Sequence, residues 1–217
     1  MQRQQGQLPL LVQLRDDATL ENFLPTAETE ALIGVLESQC AEQGEAVVYL
    51  HGAAGSGKSH LLQACCHLTG ESALYLPLAE LYAYPPEEVL AGVETLTLVA
   101  LDDLDAVIGE EAWELALFDL YNRAREWGCR LLIAASGASW GVVYHLPAGT
   151  DEVKRAILRF RAQRRGLQMS EEVVAYIFAR ARRDLAQLLE VLDRLDRASL
   201  AEQRALSIPF IKQTLDW

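Results

Sequence analysis

The stretch VVYLHGAAGSGKSHLL, Val47 to Leu62, constrains the fold more than any other part of the chain. An apolar run long enough for a buried strand leads into a glycine-rich turn, and a segment with helical spacing starts at Lys58. Gly52, Gly57, Lys58 and Ser59 stand in the order G-x-x-x-x-G-K-S, with Gly55 inside the turn and His60 just after it. Glycines let backbone amides close on phosphate oxygens, and a lysine neutralises the terminal phosphates. The hydroxyl of Ser59 suits Mg²⁺, and the helix N-terminus adds its positive end. Strand before and helix after are the context this loop needs to cradle a nucleotide.

The surrounding pattern repeats that alternation. Helical spacing is expected from Ala27 to Cys40, Lys58 to Leu68, Pro85 to Gly92 and Glu110 to Trp127. Between these lie AVVYL (46–50), SALYL (72–76), LTLVAL (96–101) and RLLIAA (130–135), with GVVYHL (141–146) after them. Short runs that are apolar on consecutive positions, separated by helices, predict a parallel sheet covered on both faces. Trp113, Leu117, Leu120, Tyr121 and Ala124 make the expected core stripe of the last of those helices.

In LVALDDLD the apolar run puts Asp102 at the carboxyl end of a strand, where it can hold Mg²⁺ through water, and Asp103 beside it can polarise a hydrolytic water. Asp105 is read as a solvated cap with no further role. Ser136 ends the next strand, where it either senses a terminal phosphate or merely begins a turn.

After His145 the pattern becomes helical only. Segments 150–165, 170–182 and 184–198 carry apolar residues at three- and four-residue steps, with Ser170 and Asp184 as N-caps, and a last helix starts near Ile208 with Pro209 in its first turn. The fold class is therefore α/β: a parallel-sheet domain followed by an all-helical lid. The expected boundaries are 1–22 for an extended tail, 23–147 for the body and 148–217 for the lid.

Charge divides along the same line. Residues 1–140 hold 6 basic and 21 acidic side chains, whereas residues 141–217 hold 13 and 10. An acidic body repels a phosphate backbone, so DNA is not its direct partner; RFRAQRRG and FARARRD read as solvated helix faces or as a surface for phosphates or an acidic partner. Cys40, Cys65, Cys66 and Cys129 lack metal-ligand spacing and are read as reduced. No apolar run is long enough to span a bilayer, and MQRQQGQ has no signal-peptide core, which gives a cytoplasmic expectation without membrane contact.

The phosphate loop, LVALDD, ELALFDLYNRA, RLLIAAS, WGVVYHL and RLDRASLAEQRALSIPFIKQTL, in that order, resemble the DnaA/Hda family of AAA+ proteins over essentially the whole chain. LFDLYNR, LDRAS and IPFIK are narrower signatures than any phosphate loop. The resemblance implies a P-loop AAA+ domain with a helical lid, binding ADP or ATP with Mg²⁺. Phe23 and Leu24 would line the adenine. It further implies a regulator of replication initiation that docks on the DNA polymerase III sliding clamp (its beta subunit). Such a regulator promotes hydrolysis of ATP held by DnaA, has little ATPase activity of its own and reaches DNA only through the clamp. QLPLL resembles the clamp-docking peptide, with Gln7 as amide anchor and Leu8, Leu10 and Leu11 filling an apolar groove. A homo-oligomer is compatible with this family. The rival readings are an autonomous ATPase, such as a helicase loader or DnaA paralogue, and an adaptor whose nucleotide is structural.

Two positions depart from the family pattern. A run of about twenty residues with the finger arginine separates the strands in the family, whereas only Gly137, Ala138 and Ser139 lie between Ser136 and Trp140 here; either that segment is deleted or, as we expect, continuous numbering passes over it. In RRDLAQLLE the sensor-arginine position holds Ala186, and Arg182 or Arg183 would have to replace it.

Overall fold

The computed structural model of the protein describes residues 14–137 and 142–217. Contacts divide it into two units, one ending at Pro147 and one beginning at Ala148.

The first unit is built on five strands, β1 (Val47–His51), β2 (Ala73–Pro77), β3 (Leu98–Asp102), β4 (Arg130–Ala135) and β5 (Val142–His145). Their order in the sheet is β2-β3-β4-β1-β5, and every pairing is parallel. Helices α1 (Glu30–Cys40) and α2 (Lys58–Thr69) are followed by α3 (Leu78–Leu81), α4 (Pro86–Val89) and α5 (Glu111–Trp127).

The period-two geometry of a strand sends alternate side chains to opposite faces. Leu98 and Ala100 of β3 join Leu36 of α1 and Leu61, Leu62 and Cys65 of α2 in one core. Val99 and Leu101 point the other way, to Leu78, Val89, Trp113 and Leu120. All five β3 residues are buried, which is why the strand reads as a continuous apolar run rather than an alternating one. By the same parity Asp102 belongs on the α2 face. Each fully buried leucine contributes about 1.5–3 kcal/mol relative to exposure.

On α5 the stripe is Trp113, Leu120 and Ala124, with Leu117 packed beside them. Tyr121 is 38% exposed and lies under Arg125, contrary to the sequence expectation; one step past Leu120 turns it about 100° away from the core.

The N-terminal segment also differs from the expectation of an extended tail up to residue 22. Leu14, Leu20 and Phe23 pack against the first core. The Arg15 amide donates to Gln63 Oε1 at 2.9 Å, and the carbonyls of Thr19 and Arg15 meet the Nε2 atoms of His60 and His67 at 2.8 and 3.0 Å. Positions 60, 63 and 67 fall on one face of α2, so this strap runs along the helix that carries the phosphate loop.

The second unit holds α6 (Asp151–Arg164), α7 (Glu171–Arg180), α8 (Leu185–Glu202) and α9 (Ile208–Leu215). Thr150, Ser170, Asp184 and Ser207 each accept a backbone N–H three residues on, a capping contact worth about 1 kcal/mol. Leu158, Phe178, Leu192 and Phe210 meet in the core of this unit. Its basic runs are partly used internally: Arg159 pairs with Glu171, Arg165 with Asp193 and Arg183 with Asp151. Among the described residues, no helix is long and apolar enough to cross a membrane.

Candidate nucleotide site

Strand order places the carboxyl ends of β1 and β3 on either side of β4, the usual ligand edge of a parallel sheet. The loop 52–57 leaves β1 there and closes at the N-terminus of α2. Backbone crowding makes Gly52 obligatory: a Cβ on it would lie 2.2 Å from the carbonyl oxygen of Leu146. At Gly57, φ is +105° and a Cβ would stand 3.1 Å from Cε2 of Phe23.

Lys58 Nζ donates to the carbonyls of Gly52 at 2.7 Å and Ala53 at 3.0 Å. Its ammonium therefore caps the inside of the turn, where terminal phosphates would replace the carbonyls as stronger, charged acceptors. Ser56 Oγ in the same loop is buried and has no hydrogen-bond partner among the described residues. A loop with an orphaned hydroxyl and a lysine folded onto its own carbonyls fits an anion of the size of a di- or triphosphate.

Phe23 reaches the loop, as Gly57 shows, and its ring stands 5.9 Å from that of His60. Leu24 beside it is half-buried. The Nε2 atom of His60 meets the Thr19 carbonyl, and its ring stands beside that of Phe23. Gly55, Ser59 and Lys58 lie where the motif requires, at the loop and the first turn of α2.

Asp102 is 1% exposed at the end of β3, and two donors hold its carboxylate. Tyr75 donates its hydroxyl to Oδ2 at 2.7 Å, and the Asp103 amide donates to Oδ1 at 3.0 Å. Burial first, and the Asp102 charge second, push the Tyr75 hydroxyl far above the ordinary tyrosine range, so it stays a proton donor. Asp103 leaves the strand in the left-handed region (φ 54°, ψ 44°). Desolvation and then the charge of Asp102 raise its carboxyl, against the opposing pull of Lys58.

For Mg²⁺ the donor set fits: a serine hydroxyl and one carboxylate are hard oxygen ligands, with waters and phosphate oxygens left to complete an octahedron. Among the described residues no group of three histidine, cysteine or acidic side chains could hold a metal by itself. Cys40, Cys65, Cys66 and Cys129 carry free thiols.

Ser136 is exposed, and its backbone amide donates to Asp105 Oδ2 at 2.5 Å. Asp105, expected to be merely solvated, thus ties the end of β4 to the turn after β3. Sequence reasoning missed three residues of this site: Asp105, Tyr75 and Gln63. No local pattern marks them, because each acts across the sheet or onto another element.

Gln7, Leu8, Leu10 and Leu11 lie outside the described residues. So does the connection from Ala138 to Gly141, but the sequence is continuous through it, and the longer connection expected there is not part of this chain. In sequence, residues 136–141 separate β4 from β5, about half the usual length of a parallel crossover. They include no arginine. Arg183, one candidate to replace the arginine absent at Ala186, is bound to Asp151 at 2.8 Å within the lid, and Arg182 is exposed.

A Haemophilus influenzae protein described only as uncharacterized is 39% identical over 229 aligned positions, covering 97% of this chain and 98% of its own length. That alignment is longer than the 217-residue chain, so the relative has residues this chain lacks. Among solved structures, domain III of the Thermotoga maritima replication initiation protein DnaA superposes with a TM-score of 0.72 at 19% identity, covering 94% of this chain and 98% of that one. AMPPCP-bound DnaA from Aquifex aeolicus gives 0.68 at 18%, covering 87% and 68%. The Hda lid domain matches residues 151–215, the span of α6 to α9. Residues 151–215 thus match an Hda-type lid, and the chain as a whole, with its parallel sheet and phosphate loop, shares the fold of DnaA domain III.

Proposed function

We propose that this chain is a nucleotide-holding regulator of replication initiation. It keeps ADP or ATP with Mg²⁺ in the loop 52–59, docks on the sliding clamp through Gln7, Leu8, Leu10 and Leu11, and stimulates hydrolysis of ATP bound to DnaA in the cytoplasm. The observation that carries the reading is the pairing of an Hda lid with a phosphate loop whose lysine, orphaned serine and buried acid are already in place. Lys58 and the loop amides take the β- and γ-phosphates, Phe23 and Leu24 cover the base, and Ser59 with Asp102 holds the cation. Bound Mg²⁺ would neutralise phosphate charge. Asp103 stands next to that acid as the base for any turnover, and Ser136 faces the same edge.

The acidic body suits a protein partner better than a nucleic acid, and contact with DNA runs through the clamp. A second reading, the adaptor that binds without activating hydrolysis, is favoured by one observation: residues 136–141 offer no arginine to a neighbouring ATP.

Docking is tested with the full chain. Replacing Gln7 and Leu8 together by alanine is expected to weaken binding to immobilised clamp at least tenfold and to leave ADP affinity within twofold. Unchanged clamp binding would remove the tail from the account.

A further inference from the structure

A line of polar groups runs from the N-terminal strap to the acid at the end of β3. The Arg15 amide donates to Gln63 Oε1. Gln63, 6% exposed on α2, brings its amide group close to the Tyr75 hydroxyl, which donates to Asp102 Oδ2. The Asp103 amide completes it on Oδ1. Four elements meet in this line: strap, α2, β2 and β3.

Its geometry follows from register. Tyr75 pairs with Ala100 and Pro77 with Asp102, so the tyrosine lies two residues back on the neighbouring strand and on the same face. From there a phenol is long enough to reach a carboxylate diagonal to it, and a glutamine from α2 is long enough to reach the phenol. Each carboxylate oxygen has about two lone-pair sites. Tyr75 and the Asp103 amide take one on each oxygen, which leaves the others free and fixes the plane of the carboxylate. Buried donors of this kind are held by packing and do not compete with water.

We propose that Tyr75, with Gln63 beside it, is a positioning residue that fixes the Asp102 carboxylate toward the divalent cation, with the strap at Arg15 as the far end of the same line. Affinity for the cation then depends on how the strap is seated along α2. This deepens the nucleotide reading above and rests on it.

The test uses the full chain, fluorescent ADP and Mn²⁺ as the spectroscopic stand-in for Mg²⁺. Tyr75→Phe is expected to keep metal-free ADP affinity within twofold. It should raise the Mn²⁺ concentration for half-saturation of the ADP complex, followed by electron paramagnetic resonance, by about tenfold, the lower end of the 10- to 100-fold cost typical of removing an outer partner of a metal ligand. Gln63→Met should move it the same way by a smaller factor, and the double variant should match Tyr75→Phe alone. A merely structural role would lower the thermal midpoint and weaken ADP binding with and without metal alike. Unchanged Mn²⁺ affinity in Tyr75→Phe would overturn the proposal, as would additive effects in the double variant. If Tyr75→Phe fails to fold, Gln63→Met decides by the same split. Failure of the unaltered chain to bind ADP at all would instead refute the nucleotide reading itself, and this proposal with it.

Discussion

Gly52→Ala should unfold the phosphate loop. The added methyl would sit 2.2 Å from the Leu146 carbonyl oxygen, which is backbone and cannot rotate away. Leu146 is itself fixed by its own amide on the His51 carbonyl at 2.7 Å, so relief requires separating the end of β1 from the end of β5. Overpacking of this kind costs about 1–3 kcal/mol, and a non-glycine residue at the φ of +154° adds to it. For a chain of this size that corresponds to a fall in thermal midpoint of about 5–10 °C. Nucleotide binding should be lost as well, because the loop amides no longer converge. Gly34→Ala is the control. Gly34 lies within α1 with nothing near its missing Cβ, so the same chemical change there should stabilise by up to about 1 kcal/mol. A Gly52→Ala protein as stable as Gly34→Ala would refute the clash.

Lys58→Ala should separate binding from folding. In the free protein the ammonium satisfies the Gly52 and Ala53 carbonyls at the mouth of a partly exposed loop, where water can replace it, so stability should change by about 1 kcal/mol or less. With nucleotide present the same ammonium faces charged oxygens, and its removal leaves phosphate charge unneutralised. ADP affinity should fall about a hundredfold or more, roughly 2.7 kcal/mol. Calorimetric titration beside a melting curve checks both. A variant that melts normally and binds ADP as well as the parent would remove Lys58 from the site.

Most of this architecture was legible because the signals are local. Gly52 to Ser59 is a contiguous motif, the burial of β3 on both faces shows as LVAL, and the caps Ser170 and Asp184 stand where hydrophobic spacing begins. What escaped was non-local. Nothing near Tyr75 announces that β2 will register beside β3 and bring its hydroxyl to Asp102. Likewise Asp105 acquires its partner only when β4 lies beside β3. The strap read as a tail because Leu14, Leu20 and Phe23 follow no helical or strand period. They pack because the face of α2 at His60, Gln63 and His67 holds the intervening backbone. Tyr121 misled in the opposite direction, an apolar body counted into a stripe from which it points away. The resemblance implied a longer connection between β4 and β5 than the sequence contains, and no periodicity within the chain bears on that length.

The two readings of the nucleotide, held or consumed, leave different traces in solution. The decisive measurement is phosphate release from ATP, taken first with the isolated chain and then with DnaA·ATP and DNA-loaded clamp present. The account predicts negligible release by the chain alone and accelerated loss of the ATP bound to DnaA in the full mixture. Robust turnover by the isolated chain, or DnaA·ATP that decays no faster when it is added, would contradict it.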